Sequence, residues 1–195
     1  MFNFLKKNKK EQKTTQQRDN NQYVQYESNA KYTKMVNDCS VEDLKLLVDY
    51  EEEPYVLSLS ELQYMSTICN DMQKQGVIYF AIATCYYNGT RGAAMSRKEG
   101  MRYDKKAIDV QNSYAALRYG TNLVVDAGRA VNAGTIDNNE ASFNNALGVG
   151  YIVQSYRQGC KDAKDILEIM MEDREEFYGA HSVEELVQIW PNSFR

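Results

Sequence analysis

The chain has a single histidine, no CxxC pair, no glycine-rich phosphate loop and no apolar run of the roughly 20 residues needed to cross a bilayer. Each absence removes a class of function. General-base and nucleophilic catalysis need partners within hydrogen-bond reach, and no Ser or Cys stands beside His181 in a nucleophile setting. Between Tyr178-Gly179-Ala180 and a capping Ser182, His181 reads as a loop or helix-start residue. The stretch Gly148-Val149-Gly150-Tyr151 has no Lys-Ser/Thr after it and no strand before it, so it reads as packing. The acids Glu172, Asp173, Glu175 and Glu176 lack the alternating spacing of a calcium loop and read as a solvated helix face. Glu51, Glu52 and Glu53 read as an exposed turn. No catalytic residue, metal site or cofactor is expected.

The four cysteines, Cys39, Cys69, Cys85 and Cys160, lie 30, 16 and 75 residues apart, unlike the framework of a disulfide-stapled secreted domain. They are expected to be free thiols in a reducing compartment, Cys69 on the apolar stripe of a helix, and the expected location is cytoplasmic. The opening Met1-Phe-Asn-Phe-Leu-Lys-Lys-Asn-Lys-Lys10 places its charge after its apolar residues and has no apolar core, so it does not read as a secretory signal. Phe2, Phe4 and Leu5 form a patch too small for more than marginal membrane contact.

What is present is an ordinary globular composition, 43% hydrophobic and 26% charged over 195 residues, with the charge unevenly placed. Residues 1–34 carry eight Lys/Arg against three Asp/Glu, and residues 35–195 carry 15 against 24. Residues 6–34 have almost no aliphatic side chains, so 1–34 is expected to be a disordered basic arm and 35–195 a helical domain. An acidic domain argues against specific nucleic-acid binding, which needs a basic surface to displace counterions.

Helix signals recur along the domain. Ser40 with Asp43 resembles a capping box ahead of Val41, Leu44, Leu47 and Val48, and Glu51–Glu53 with Pro54 end that helix. Ser58 with Glu61 opens a helix carrying Leu62, Met65, Ile68, Cys69 and Met72, closed by Gly76. Val77 to Tyr87 is apolar on every side; Ala81, Ala83 and the ending Asn88-Gly89 favour a buried helix over a strand. Residues 90–103 read as a loop. Asp104 is expected to cap a helix to Gly120, Leu123 to Val131 to form a short helix stopping at Gly134, and Asn138 or Asn139 to begin another. Asp162 is expected to cap a further helix, and Ser182 with Glu185 the last, ending at Trp190-Pro191. Gly148 and Gly150 would each weaken an isolated helix by roughly 1 kcal/mol, so close helix packing is the expected reason for them.

Five glycines, Gly76, Gly89, Gly120, Gly134 and Gly159, follow helix-sized runs at steps of 44, 39 and 45 residues, a range that suits a helix pair plus turns. Ala81 with Tyr86-Tyr87-Asn88-Gly89, then Tyr103-Asp104-Lys105-Lys106-Ala107 and Ala115-Ala116-Leu117-Arg118-Tyr119-Gly120, resemble the Sel1-like repeat family, a tetratricopeptide-like helical repeat. A second, degenerate copy runs through Ala127-Gly128, Asn132-Ala133-Gly134, Asp137, Ala141 and Ala146-Leu147-Gly148. The resemblance covers about residues 76–180 and implies an all-α fold of stacked antiparallel helical hairpins, a short solenoid; an irregular helical bundle would give similar glycines. It implies a scaffold or adaptor with a groove for a partner protein or peptide, and no catalytic residue.

The candidate partner-binding residues follow from charge and aromatic content. Arg91, Arg97, Lys98, Arg102, Lys105 and Lys106 make residues 91–106 basic inside an acidic domain, a patch suited to an acidic peptide or phosphate. Tyrosine offers rigid contact area with a polar tip, and Tyr86, Tyr87, Tyr103 and Tyr119 fall around the same hairpin. The leading expectation is a non-enzymatic interaction module. The alternative is a structural or accessory component of a larger assembly, such as a phage particle or mobile-element complex, whose basic arm orders on contact.

Overall fold

A computed structural model describes residues 29–49, 56–172 and 174–191. The fold is all-α: nine helices among the described residues, with no strand beyond one isolated bridge between Phe177 and Ala180. They are α1 (29–38), α2 (Val41–Asp49), α3 (Leu59–Ile68), α4 (Met72–Asn88), α5 (Arg97–Asp109), α6 (Ser113–Asn132), α7 (Asn138–Arg157), α8 (Asp162–Met171) and α9 (Val183–Ile189). Residues 1–28 of the expected arm, the Glu51–Glu53 and Pro54 stop, and Asp173 lie outside the described residues.

Side-chain caps set most helix starts by satisfying backbone N–H groups that have no intrahelical acceptor. Ser40 accepts from the Asp43 N–H at 3.0 Å. Ser58 and Glu61 form a reciprocal capping box, as their spacing predicts. Asp71, Ser96, Asn112, Asp137 and Ser182 cap α4, α5, α6, α7 and α9. Asp162 makes no such bond, contrary to expectation; it is the first residue of α8.

Helices pack chiefly on their neighbours in sequence. α2 and α3 lie on α4, α4 on α5, α5 on α6, α6 on α7, and α7 on α8 and α9. Three apolar cores follow one another along this stack. The first joins α1 to α4 around Leu44, Leu62, Met65, Ile78 and Ile82; a small second joins Ala107, Ala115 and Ala116; the third joins α7 to α9 around Val149, Ile152, Leu167 and Leu186. Val77–Tyr87 is helical, and its all-round apolar character follows from its place between α2, α3 and α5.

The structure corrects further readings. Residues 29–34, expected in the arm, belong to α1, where Tyr32 and Val36 reach the first core and Lys74 Nζ donates to the Val36 carbonyl at 2.7 Å. The helix expected over 58–76 ends at Ile68, and Met72 begins the next one, largely exposed. The loop expected over 90–103 stops at Ser96. Asp104 is no cap but a fully buried residue of α5, and a turn at Val110–Asn112 separates α5 from α6. The short helix expected over 123–131 is the second half of α6.

Of the five spaced glycines, Gly89, Gly134 and Gly159 take left-handed backbone angles just beyond helices, but Gly76 and Gly120 are helix-interior residues. At Gly120 the requirement is space. A Cβ there would sit 2.5 Å from the Gly148 carbonyl oxygen, and one at Gly148 would sit 2.7 Å from that of Gly120. α6 and α7 therefore cross backbone to backbone, which explains Gly148 as expected.

Candidate interaction face

α4 ends on two adjacent tyrosines that point to different neighbours. Tyr86 stacks on Tyr103 of α5, ring centroids 5.6 Å apart, and Tyr79, two turns earlier on α4, lies 6.3 Å from the same ring. Gln63 of α3 reaches the Tyr86 hydroxyl at 3.4 Å. Two cations of α5 lie over this aromatic floor. The Arg102 guanidinium is 4.4 Å from the Tyr103 centroid, and the Lys106 ammonium is 5.0 Å from Tyr103 and 5.4 Å from Tyr79. Such placements attract the cation to the ring by about 0.5–1 kcal/mol at exposed sites. Arg102 also pairs with Glu99 at 2.7 Å, one turn back.

Lys98, Arg102 and Lys105 follow at i, i+4 and i+7 along the exposed side of α5. Lys98 and Lys105 have no ion-pair partner among the described residues. The result is a positive helix face set on tyrosines, within a domain whose overall charge is negative.

Tyr87 turns the other way, into a buried polar network. Its hydroxyl donates to Asp104 Oδ2 at 2.9 Å and accepts from Asn122 Nδ2 at 3.1 Å. Gly100 makes room for its ring, since a Cβ there would fall 2.8 Å from ring carbons. Arg118 of α6 donates to Asp104 through Nε at 3.0 Å and Nη2 at 2.5 Å, to Thr84 Oγ1 at 2.8 Å and to the Phe80 carbonyl at 3.2 Å. Its guanidinium also lies over the Phe80 ring at 3.8 Å. Burial pushes the Asp104 carboxyl above its ordinary range, against the pull of Arg118 and Tyr87. Burial and the neighbouring Asp104 hold the Tyr87 phenol well above its usual value, so it stays a proton donor. These groups are spent on one another and tie α4, α5 and α6 together.

The structure thus divides the residues singled out from sequence. Tyr86, Lys98, Arg102 and Tyr103 share the α4–α5 face, with Tyr103 as its floor at 7% exposure. Tyr87 belongs to the buried network. Arg97 is drawn to Asp126 of α6 at 2.8 Å. Arg91 lies in the turn after α4, where its carbonyl accepts from the Leu59 N–H at 2.9 Å and so holds the start of α3. Tyr119 packs edge-on against Tyr151 of α7, centroids 4.9 Å apart. Sequence reasoning missed Tyr79, Gln63, Arg118 and the true place of Asp104. Tyr79 was legible, since it lies seven residues before Tyr86 on one helix stripe; the Asp104–Arg118 pair joins two helices and leaves no local pattern.

His181 is exposed ahead of α9, its Nδ1 2.8 Å from the Glu175 carbonyl oxygen. All four cysteines are free thiols, Cys69, Cys85 and Cys160 buried. No helix among the described residues is long and apolar enough to cross a membrane. Comparison with protein-family models, with curated proteins and with solved structures gives no match.

Proposed function

We infer that this protein is a non-enzymatic interaction module, a scaffold or adaptor of Sel1-like helical hairpins, that holds an acidic segment of a partner protein or peptide on the outer side of α5. One observation carries the reading: in a chain of net charge −4, Arg102 and Lys106 lie over Tyr103 and Tyr79, with Tyr86 stacked on Tyr103 and Lys98 and Lys105 exposed on the same helix. Stacked tyrosines give rigid contact area, and cations held over their rings lose little freedom when an acidic side chain arrives. Four unpaired thiols support a cytoplasmic setting.

The test is selection of a displayed random-peptide library against the full chain. Enriched peptides are expected to be acidic. Their affinity should fall at least tenfold in Lys98→Glu/Lys105→Glu, which alters two exposed side chains without ion-pair partners, and should weaken with salt. Charge reversal at Arg129 and Lys161, outside this face, should leave binding intact. No enrichment, or equal binding by the α5 variant, overturns the reading.

The alternative, a component of a larger assembly, draws support from the far half of the α6–α7 hairpin. Between Thr121 and Leu147 only Ala127 is buried, while Val125 and Phe143 are exposed.

A further inference from the structure

α8 carries an exposed face of mixed character. Asp165, Ile169 and Glu172 follow at i, i+4 and i+7, all exposed, and Ile169 is 65% exposed although it stands mid-helix. Beside them α8 and the start of α9 enclose an open groove of about 610 Å³, lined further by Val183 and Glu184. Lys164 is spent on Glu184 at 2.8 Å and Glu168 at 3.7 Å, which leaves Asp165 and Glu172 without an ion-pair partner among the described residues. The same spacing recurs with opposite charge on α5, where Lys98, Arg102 and Lys105 stand at i, i+4 and i+7 and the two lysines likewise lack an ion-pair partner among the described residues. Seven residues of helix span about 10 Å. Two unpaired lysines two turns apart therefore match two unpaired carboxylates two turns apart, with one bulky side chain midway in each set.

Both faces are held on packed helices, α5 against α4 and α6, α8 against α7 and α9, and no ion pair among the described residues joins them within the chain. They are free to meet between copies. Resting on the reading of α5 as a face for an acidic partner, we propose that this partner is α8 of a second copy of this chain. The two helices lie antiparallel, Lys98 beside Glu172 and Lys105 beside Asp165. The direction follows from the backbone dipoles. Lys98 is in the first turn of α5, the positive end of that helix, and Glu172 caps the negative C-terminal end of α8, so the antiparallel register sets unlike ends together. Ile169, midway between its carboxylates, then lies on the methylene stem of Arg102, whose guanidinium stays over Tyr103 and paired with Glu99. Exposed charges of this kind give weak association that salt opposes.

The test uses the full-length chain. At low salt, wild-type mass measured by light scattering is expected to rise with concentration above the monomer, to a closed dimer or an open chain, and to return to the monomer as salt is added. The α5 variant Lys98→Glu/Lys105→Glu and an α8 variant, Asp165→Lys/Glu172→Lys, should each weaken association roughly tenfold or more, since like charges then face each other. Mixed in equal amounts, the two should associate as wild type does, because each intact face meets its intact counterpart and each reversed face a reversed one. A chain carrying all four changes should likewise regain self-association, which misfolding of either parent variant could not produce. In wild type mixed from isotope-labelled and unlabelled copies, carbodiimide coupling should join Lys98 to Glu172 and Lys105 to Asp165 between copies. Wild type that stays monomeric overturns the proposal, as does association that survives either variant, a mixture that fails to associate, or coupling of these lysines only to other carboxylates. Acidic peptides that bind the α5 face of a chain that stays monomeric would leave the interaction-module reading standing and remove only the second copy as its partner.

Discussion

At the residue scale, two glycines of α6 should respond in opposite ways to the same substitution. Gly120→Ala places a Cβ against the Gly148 backbone, an overpacking that costs about 1–3 kcal/mol and outweighs a helix-propensity gain of up to about 1 kcal/mol. Its thermal midpoint should fall by several degrees. A Cβ at Gly128 meets nothing within 4 Å, so Gly128→Ala should raise stability by about 0.5–1 kcal/mol. Thermal denaturation of the two variants against wild type checks the pair. Arg118→Met should be worse than either glycine change. It leaves the buried Asp104 carboxylate with the Tyr87 hydroxyl as its one remaining side-chain donor among the described residues and takes the donor from Thr84 Oγ1, a loss of about 3–5 kcal/mol in urea unfolding. Replacing both partners, Asp104→Leu with Arg118→Met, should recover part of it.

At the element scale, α1 is fastened to α3 by the Tyr32 hydroxyl, which donates to Glu61 Oε1, while Glu61 Oε2 accepts from the Ser58 N–H at 2.7 Å. Burial alone would raise the Glu61 carboxyl. The Tyr32 phenol and Ser58 override it and hold it below its ordinary 4.5. A depressed carboxylate contributes stability above pH 4.5 that is lost as pH falls through its folded value. Burial first, then Glu61, pushes the Tyr32 phenol up to about 12 from 10, so its contribution is present below pH 10 and lost between 10 and 12. Thermal midpoints measured across pH should fall on both flanks, and Glu61→Gln should flatten the acid one. Elements whose starts are written locally were legible in sequence, the box at Ser58–Glu61 and the Ser182 cap among them, although the Glu185 carboxylate accepts from the His181 N–H and does not close a box on Ser182. α5 was not. Its buried positions Gly100, Tyr103, Asp104, Ala107 and Ile108 keep helical spacing, but a glycine and an acid occupy two of them, so the stripe does not read as apolar. Gly76 misled for a related reason, because it serves a neighbour: Asn112 Cβ would stand 3.2 Å from any Cβ there. Part of the site was legible, the basic run and two of its tyrosines, Tyr86 and Tyr103, but which tyrosines shared that face depended on contacts between helices.

At the scale of the whole molecule, three cores in series leave the far α6–α7 hairpin outside them all. Local opening is easiest where few apolar groups are buried. Hydrogen exchange should therefore be fastest within the two long helices at residues 125–146, and slowest in α4 and in α7 from Gly148 to Ser155, whose residues are largely buried. Uniform protection along α6 and α7 would contradict this. The Thr84, Tyr87, Asp104, Arg118 and Asn122 network lies between the first core and the last. Its bonds cross from α4 to α5 to α6, so no single helix contains a working set of partners. A hybrid chain made by exchanging α1–α4 with another protein of this shape would keep the Asp104–Arg118 pair but lose the Tyr87 and Thr84 hydroxyls bonded to it, unless the incoming α4 carried both. Substitution in one of these three helices is likewise tolerated only with compensation in the other two.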